Sequence, residues 1–258
     1  MSADPMPALP DANPRHRQLC KLQSLTTMAT GIAHDFNNHL AAILGNNNVI
    51  LRAVPTEGRV RDCVQRIEAA ANLALQLSDQ LTLYASRVAC ESSAIDWRHL
   101  LEEVRGSITP TRSGGLQVEY QTAPDTPALM ADADLLRRAL INLITNSAES
   151  MIERTGGIRV AVGPFNRKAS DAENAFFELG ATPRWVAITV SDDGCGFAAQ
   201  SRALIFDPFY STKIRGRGMG LPEVLGIARL HGGNVVVESQ PGVGTQVKLL
   251  LPPEPPTA

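Results

Sequence analysis

Two apolar stripes, one after the other and divided by a single turn, constrain this chain more than any other feature. In the first, Leu22, Leu25, Ala29, Ile32, Phe36, Leu40 and Ile43 recur at steps of three and four, the spacing of one buried helical face. The second runs through Val60, Val64, Ile67, Ala71, Ala74, Leu77, Leu81, Tyr84 and Val88 on the same period. Between them, Pro55-Thr56-Glu57-Gly58 reads as a turn, because proline cannot continue a helix and glycine tolerates backbone angles that other residues avoid. The pattern predicts helices over about 15–54 and 59–88, joined as an αα-hairpin. A two-helix hairpin presses only one edge of each stripe against its neighbour. Leu25, Ile32, Phe36 and Leu40, with Ile67, Leu77 and Leu81, would stay partly wet, each forgoing roughly 1.5–3 kcal/mol relative to full burial. A second copy completing a four-helix bundle removes that exposure, so a homodimer through the hairpin is expected.

The first helix has a second face. His34 lies about 200° round from Ile32 and points away from the stripe. An imidazole in water, with a pKa near ~6.5, is mostly neutral at pH 7 and available as a nucleophile. Asn38 shares that face one turn on, and the carboxylate of Asp35 is near enough in sequence to reach a ring nitrogen. A lone exposed histidine is ordinary. Its significance comes from what lies more than a hundred residues further along.

That later part changes character. Asp96 should cap a helix through Val104, Gly114-Gly115 should turn into a strand at Leu116, Val118 and Tyr120, and a helix should fill 134–154. Strands are expected at 158–162, 186–190, 234–239 and 245–251, with a helix at 222–231; 166–183 is a weakly patterned insertion. Helices and strands segregated in this way argue for an α+β two-layer sandwich, a mixed sheet covered by helices on one face. The proline-rich ends, 1–14 and 253–258, read as tails. A net charge of −2 gives no reason to invoke nucleic acid. The cysteines Cys20, Cys63, Cys90 and Cys195 form no CxxC pair and read as reduced thiols of a cytoplasmic protein, with Cys195 alone near a site. No run approaches the ~20 apolar residues needed to span a bilayer.

Four stretches of this second part suit phosphate chemistry. Asn142 and Asn146, four apart on one helix, project two amides whose oxygens can ligate Mg²⁺ and whose NH₂ groups can meet phosphate. Asp192-Asp193-Gly194-Cys195-Gly196 follows a buried strand, and its glycines let backbone approach a planar ligand beside a carboxylate acceptor. Phe206-Asp207-Pro208-Phe209-Tyr210-Ser211-Thr212-Lys213 combines aromatic anchors with a cation. Gly216-Arg217-Gly218-Met219-Gly220-Leu221 then exposes backbone N–H groups just before a helix whose first turn accepts Pro222. No Gly-Lys-Ser/Thr follows, so this is not a Walker loop.

Gly31-Ile32-Ala33-His34-Asp35-Phe36-Asn37-Asn38 resembles the phosphoacceptor box of two-component sensor histidine kinases, in the subfamily that reads His-Asp-Phe-Asn-Asn. The four later stretches resemble that family's N, first Gly, F and second Gly boxes, in order, over about Leu19 to Pro252. The resemblance implies a dimerisation and phosphoacceptor hairpin at 15–90 and a catalytic domain of the histidine kinase/Hsp90-like (GHKL) ATPase type at 95–252. It implies ATP and Mg²⁺ as ligands, with Asn146 holding the metal and Asp192 accepting from the adenine amine. The nucleotide set it implies is Asn142, Asn146, Asp192, Gly194, Gly196, Lys213, Gly216, Arg217, Gly218, Gly220, Leu221 and Thr245. It makes His34 the acceptor, Asp35 its proton partner and Asn38 the residue that orients water during dephosphorylation of a response-regulator receiver domain, the expected partner. Input is expected from a separate sensor protein or from sequence outside this chain. Met219 and Pro222 depart from the commoner residues. Asn142 stands where related ATPases carry the glutamate that activates water, which favours transfer to a protein nucleophile over hydrolysis. Two alternatives share this architecture: a phosphotransfer protein with a decayed ATP site, and a dimeric scaffold that holds nucleotide without turnover.

Overall fold

The computed structural model describes residues 35–54, 57–84, 90–108, 117–151, 156–177, 184–211 and 218–253. A helix over 35–53 (α1) and the helix Arg59–Tyr84 (α2) form the hairpin, and Gly58 between them takes a φ of +117°, open to glycine and few other residues. Leu22, Leu25, Ala29, Ile32, Pro55 and Val88 lie outside the described residues. Leu40, Val64 and Ala71 are buried along the hairpin. Leu40 therefore departs from the expectation that it stays wet. Phe36, Ile43, Val49, Ile50, Val60, Ile67 and Leu73 remain exposed, Val49 at 66% and Val60 at 60%, so a bare apolar strip runs along the pair.

The second unit is built on a five-stranded sheet. Its strands are Gln117–Thr122 (β2), Gly157–Pro164 (β4), Val186–Asp192 (β5), Asn234–Gln240 (β6) and Gly244–Leu251 (β7), in the order β2-β4-β5-β7-β6. Only β2 and β4 run parallel; the other neighbours are antiparallel. A separate two-residue ribbon pairs Ser93–Ala94 (β1) with Met130–Ala131 (β3), pieces too short to show any alternation in sequence. Helices Trp97–Ser107 (α3), Ala133–Ser150 (α4) and Gly220–Leu230 (α6) cover one face. Asp96 caps α3 as expected, its Oδ1 accepting from Arg98 N at 3.0 Å and His99 N at 3.2 Å. On β5, Val186, Ile188 and Val190 point into the core with Leu136, Leu140, Leu143 and Ile144 of α4 and Leu225 and Ile227 of α6, whereas Ala187 points the other way. Arg138 of α4 ties α6 by pairing with the buried Glu223 at 2.8 Å.

The hairpin does not stand apart from this core. Leu83 and Tyr84, the last turn of α2, are buried in it. Helices α2 and α6 meet backbone to backbone there: a Cβ on Gly226 would fall 2.1 Å from Leu83 O. Burial first, and then the Asp207 carboxylate, push the Tyr84 phenol up to about 12, with Arg229 acting in the opposite direction.

The insertion proves to be structured over 166–177. Helix Ala169–Asn174 (α5) leads into Ala175, which bridges Val236, and Phe176 N donates to Val235 O at 2.9 Å. The Asn234 side chain then exchanges hydrogen bonds with the Phe177 backbone. These contacts cover β6, the edge strand, which would otherwise offer open backbone groups. Lys248 pins α5 to the outer face of the sheet, reaching Asp171 at 2.5 Å and Glu238 at 3.2 Å. Burial alone would raise the Asp171 pKa, but the Lys248 and Lys168 contacts hold it below its ordinary 3.8. A depressed carboxyl stabilises the fold above its unfolded pKa, and the gain disappears as pH falls through the lowered value. Asp171→Asn should therefore flatten the loss of Tm as pH falls below about 4, measured by scanning calorimetry against the unaltered chain.

His231, at the end of α6, is buried, with Nδ1 2.8 Å from Ile227 O and Nε2 3.0 Å from Asp132 N. Since the backbone N–H can only donate, Nε2 accepts, and the ring is the neutral tautomer protonated on Nδ1.

Candidate functional site

A cavity of about 460 Å³ opens between α4, β5, β7, the 195–211 segment and the start of α6. Asp192, at the end of β5, is its most constrained polar group. Its Oδ2 accepts from Ser147 Oγ at 2.7 Å, and its Oδ1 from Gly194 N at 2.9 Å and from Ser150 Oγ at 3.0 Å, whose proton is shared with Ser147 O at 2.7 Å. Both serines project from the last turns of α4, so one helix fixes the carboxylate presented by the neighbouring strand. A carboxylate has about four acceptor sites, and these bonds leave one for a ligand N–H. The glycines beside it are sterically required. A Cβ on Gly194 would fall 1.9 Å from Ser150 Oγ, and Gly196, at φ +59°, would place one 2.1 Å from Gln240 O. Thr245 lines the same region, its hydroxyl 3.0 Å from Ser239 Oγ.

Asn142 and Asn146 of α4 line the cavity as well. Gly220 faces Asn146 so closely that a Cβ there would lie 3.0 Å from Nδ2. Helix α6 starts at Gly220, two residues before the expected Pro222, and its N-cap, Met219, makes no side-chain hydrogen bond to the first turn. Those N–H groups are the partners a phosphate seeks. The cradle at Gly220 and the amide donor set both fit a nucleotide with its Mg²⁺.

The aromatic stretch divides its work. Phe206 is buried edge-on against Phe176, with ring centroids 4.9 Å apart, while Tyr210 and Ser211 line the cavity. Phe209 is exposed and holds a φ of 68°, uncommon for a bulky residue. Its N–H donates to Gly218 O at 3.0 Å, so the two ends of the 209–218 segment are tied together at the cavity mouth. Lys213, Gly216 and Arg217 lie outside the described residues, as does His34. Asp35 and Asn38 are exposed on α1, and no described residue of α1 lines the cavity.

The structure thus brings Asn142, Asn146, Asp192, Gly196, Gly218, Gly220, Leu221 and Thr245 around one cavity, with Gly194 packed beneath it. Sequence reading missed Ser147 and Ser150, which hold Asp192, and Gln80 of α2, which lines the wall beside α6. The two serines were visible only as members of a helix face.

Residues 131–255 match the family described as "Histidine kinase-, DNA gyrase B-, and HSP90-like ATPase". The chain is 29% identical to "Sensor kinase CckA" of Brucella abortus (strain 2308), over 90% of this chain and 24% of that protein. It is 30% identical to "Sensor histidine kinase ZraS" of Escherichia coli (strain K12), over 90% of this chain and 46% of that one. It spans a quarter to a half of the length of these relatives. Among solved structures, the full-length ShkA crystal structure in complex with AMPPNP superposes with a TM-score of 0.66 at 22% identity, over 90% of this chain and 47% of that chain.

Proposed function

We propose that the chain is a two-component sensor histidine kinase, a reading supported by its motifs and by the relatives it resembles, and that it phosphorylates itself on His34 with ATP and passes the phosphoryl group to an aspartate of a response-regulator receiver domain. The observation that carries this reading is Asp192, held by two serines of α4 and a backbone N–H in the lining of a cavity that two asparagine amides of the same helix also line. In this reading the remaining Asp192 site takes the purine amine, and Thr245 and the glycines of 194–196 leave room for a flat base. Asn146 holds Mg²⁺, which when bound neutralises polyphosphate charge. Asn142, Lys213, Arg217 and the glycine backbone of 216–220 position the phosphates, since phosphoryl transfer depends mainly on positioning and electrostatics. An imidazole nitrogen of His34 forms the N–P bond as the β,γ P–O bond breaks and ADP leaves, and Asp35 takes or orients the ring proton. Asn142 cannot take a proton from water, which favours transfer over hydrolysis. Asn38, one turn beyond His34, orients water for dephosphorylation of the partner.

The units at 15–90 and 95–252 divide this labour, the hairpin dimerising through the exposed strip that includes Ile43, Ile50, Val60 and Ile67. No helix among the described residues is long and apolar enough to cross a membrane. Incubation with γ-labelled ATP and Mg²⁺ should give an acid-labile, base-stable label that peptide mapping places on residue 34. Absence of label with nucleotide still bound would favour the scaffold, and label only from a phosphorylated regulator would favour the phosphotransfer protein.

A further inference from the structure

The cavity is not walled by the sheet unit alone. Gln80 of α2 lines it together with Asn142, Asn146, Gly220 and Pro222. Of the elements that form the cavity, α2 packs on α6, so Gln80 enters beside the first turn of that helix. Its Oε1 is buried and meets no donor among the described residues. A buried amide oxygen without a partner carries its desolvation cost uncompensated, which is uncommon in folded proteins and calls for a ligand or a role. The backbone that carries it is held in place, because one turn later Leu83 and Tyr84 are fixed in the core and Leu83 backbone abuts Gly226.

Resting on the reading of this cavity as a Mg²⁺-nucleotide site, we propose that Gln80 is a nucleotide-binding residue supplied by the hairpin, its amide meeting the polyphosphate end. The end follows from its neighbours: the two asparagine amides and the start of α6 suit phosphate, whereas Asp192 and Thr245 suit the base. An amide serves there because its oxygen can accept from a water on the cation while its NH₂ donates to a phosphate oxygen. The nucleotide is then held by both units at once. Occupancy stabilises the docked arrangement of α2 against α6, and by reciprocity docking tightens the nucleotide.

Gln80→Leu, made in the full chain, keeps the volume and removes the amide. The nucleotide-free variant should melt at or above the temperature of the unaltered chain, since a buried unpartnered oxygen is gone. Its dissociation constant for MgATP should rise about 10- to 150-fold, the loss of a hydrogen bond to a charged group. That for AMP, which lacks the polyphosphate, should stay within about twofold. Unchanged MgATP affinity would overturn the proposal. Equal weakening towards AMP, or a lower melting temperature without nucleotide, would overturn it too, by assigning Gln80 to packing. If the unaltered chain bound neither nucleotide, the cavity reading itself would fail, and this inference with it.

Discussion

Asp192→Asn should bind MgATP at least about a hundredfold more weakly than the unaltered chain and acquire no phosphate label, while its nucleotide-free Tm changes little. The two effects separate because of how the carboxylate is held. Gly194 N can only donate, so the oxygen of the new amide must stay where Oδ1 is, accepting from Gly194 and Ser150. The NH₂ then replaces Oδ2. There the Ser147 hydroxyl, which donates now, can turn and accept, so the fold keeps its bonds. Towards the cavity, however, a donor stands where an acceptor stood. A purine amine would meet an N–H, losing a charge-assisted bond and leaving a buried donor unpaired. Titration calorimetry measures the affinity, and thermal melting with and without MgATP should show the ligand-induced rise disappear. An unchanged affinity would remove Asp192 from the base-recognition role.

The second large effect is expected at Gly226. In Gly226→Ala the new methyl would fall 2.1 Å from Leu83 O, 2.6 Å from Leu83 C and 2.7 Å from Tyr84 Cα. All three are backbone atoms, so no rotamer change relieves the clash; α2 must move off α6 and loosen the core around Leu83 and Tyr84. Overpacking of this kind costs about 1–3 kcal/mol or more, a fall of about 2–12 °C in Tm for a chain of this size. Gly106 in α3 is the control, with nothing within 4 Å of its added Cβ. Gly106→Ala should raise Tm slightly, since alanine is the better helix former. Similar melting of the two variants would mean that α2 and α6 do not touch in solution.

Some of this was legible in the residues, for reasons specific to each. Asp96 announced itself because a helix cap is a local event: donors and acceptor lie two and three residues apart. The β5 run from Val186 to Val190 was equally plain, being apolar almost throughout. Asp192 stood out by its glycines, yet the serines that fix it lie 45 and 42 residues away, and nothing local connects them. Periodicity marks which face of a helix is buried but not what buries it. Leu40 was therefore expected to stay wet, and Tyr84 was placed in the hairpin stripe when its cover is α6. The insertion at 166–177 has no period because its residues serve different neighbours: Asp171 meets Lys248, Ala175 meets Val236 and Phe176 meets Phe206. His231 could not be read as neutral from its position, since the donor that fixes its tautomer is the backbone of Asp132, 99 residues earlier.

The burial of Leu83 and Tyr84 determines where this protein can be cut. A fragment starting at 95 would retain the sheet, the helices and every described cavity residue except Gln80. It would also lose two side chains that fill the core, leaving an open slot along α6 at Gly226. Such a fragment should melt earlier than the full chain and associate through the slot. Starting instead before Ser78 keeps the last turns of α2 and closes the slot with the chain's own residues. The smallest piece that preserves the ATPase fold intact therefore begins inside the hairpin.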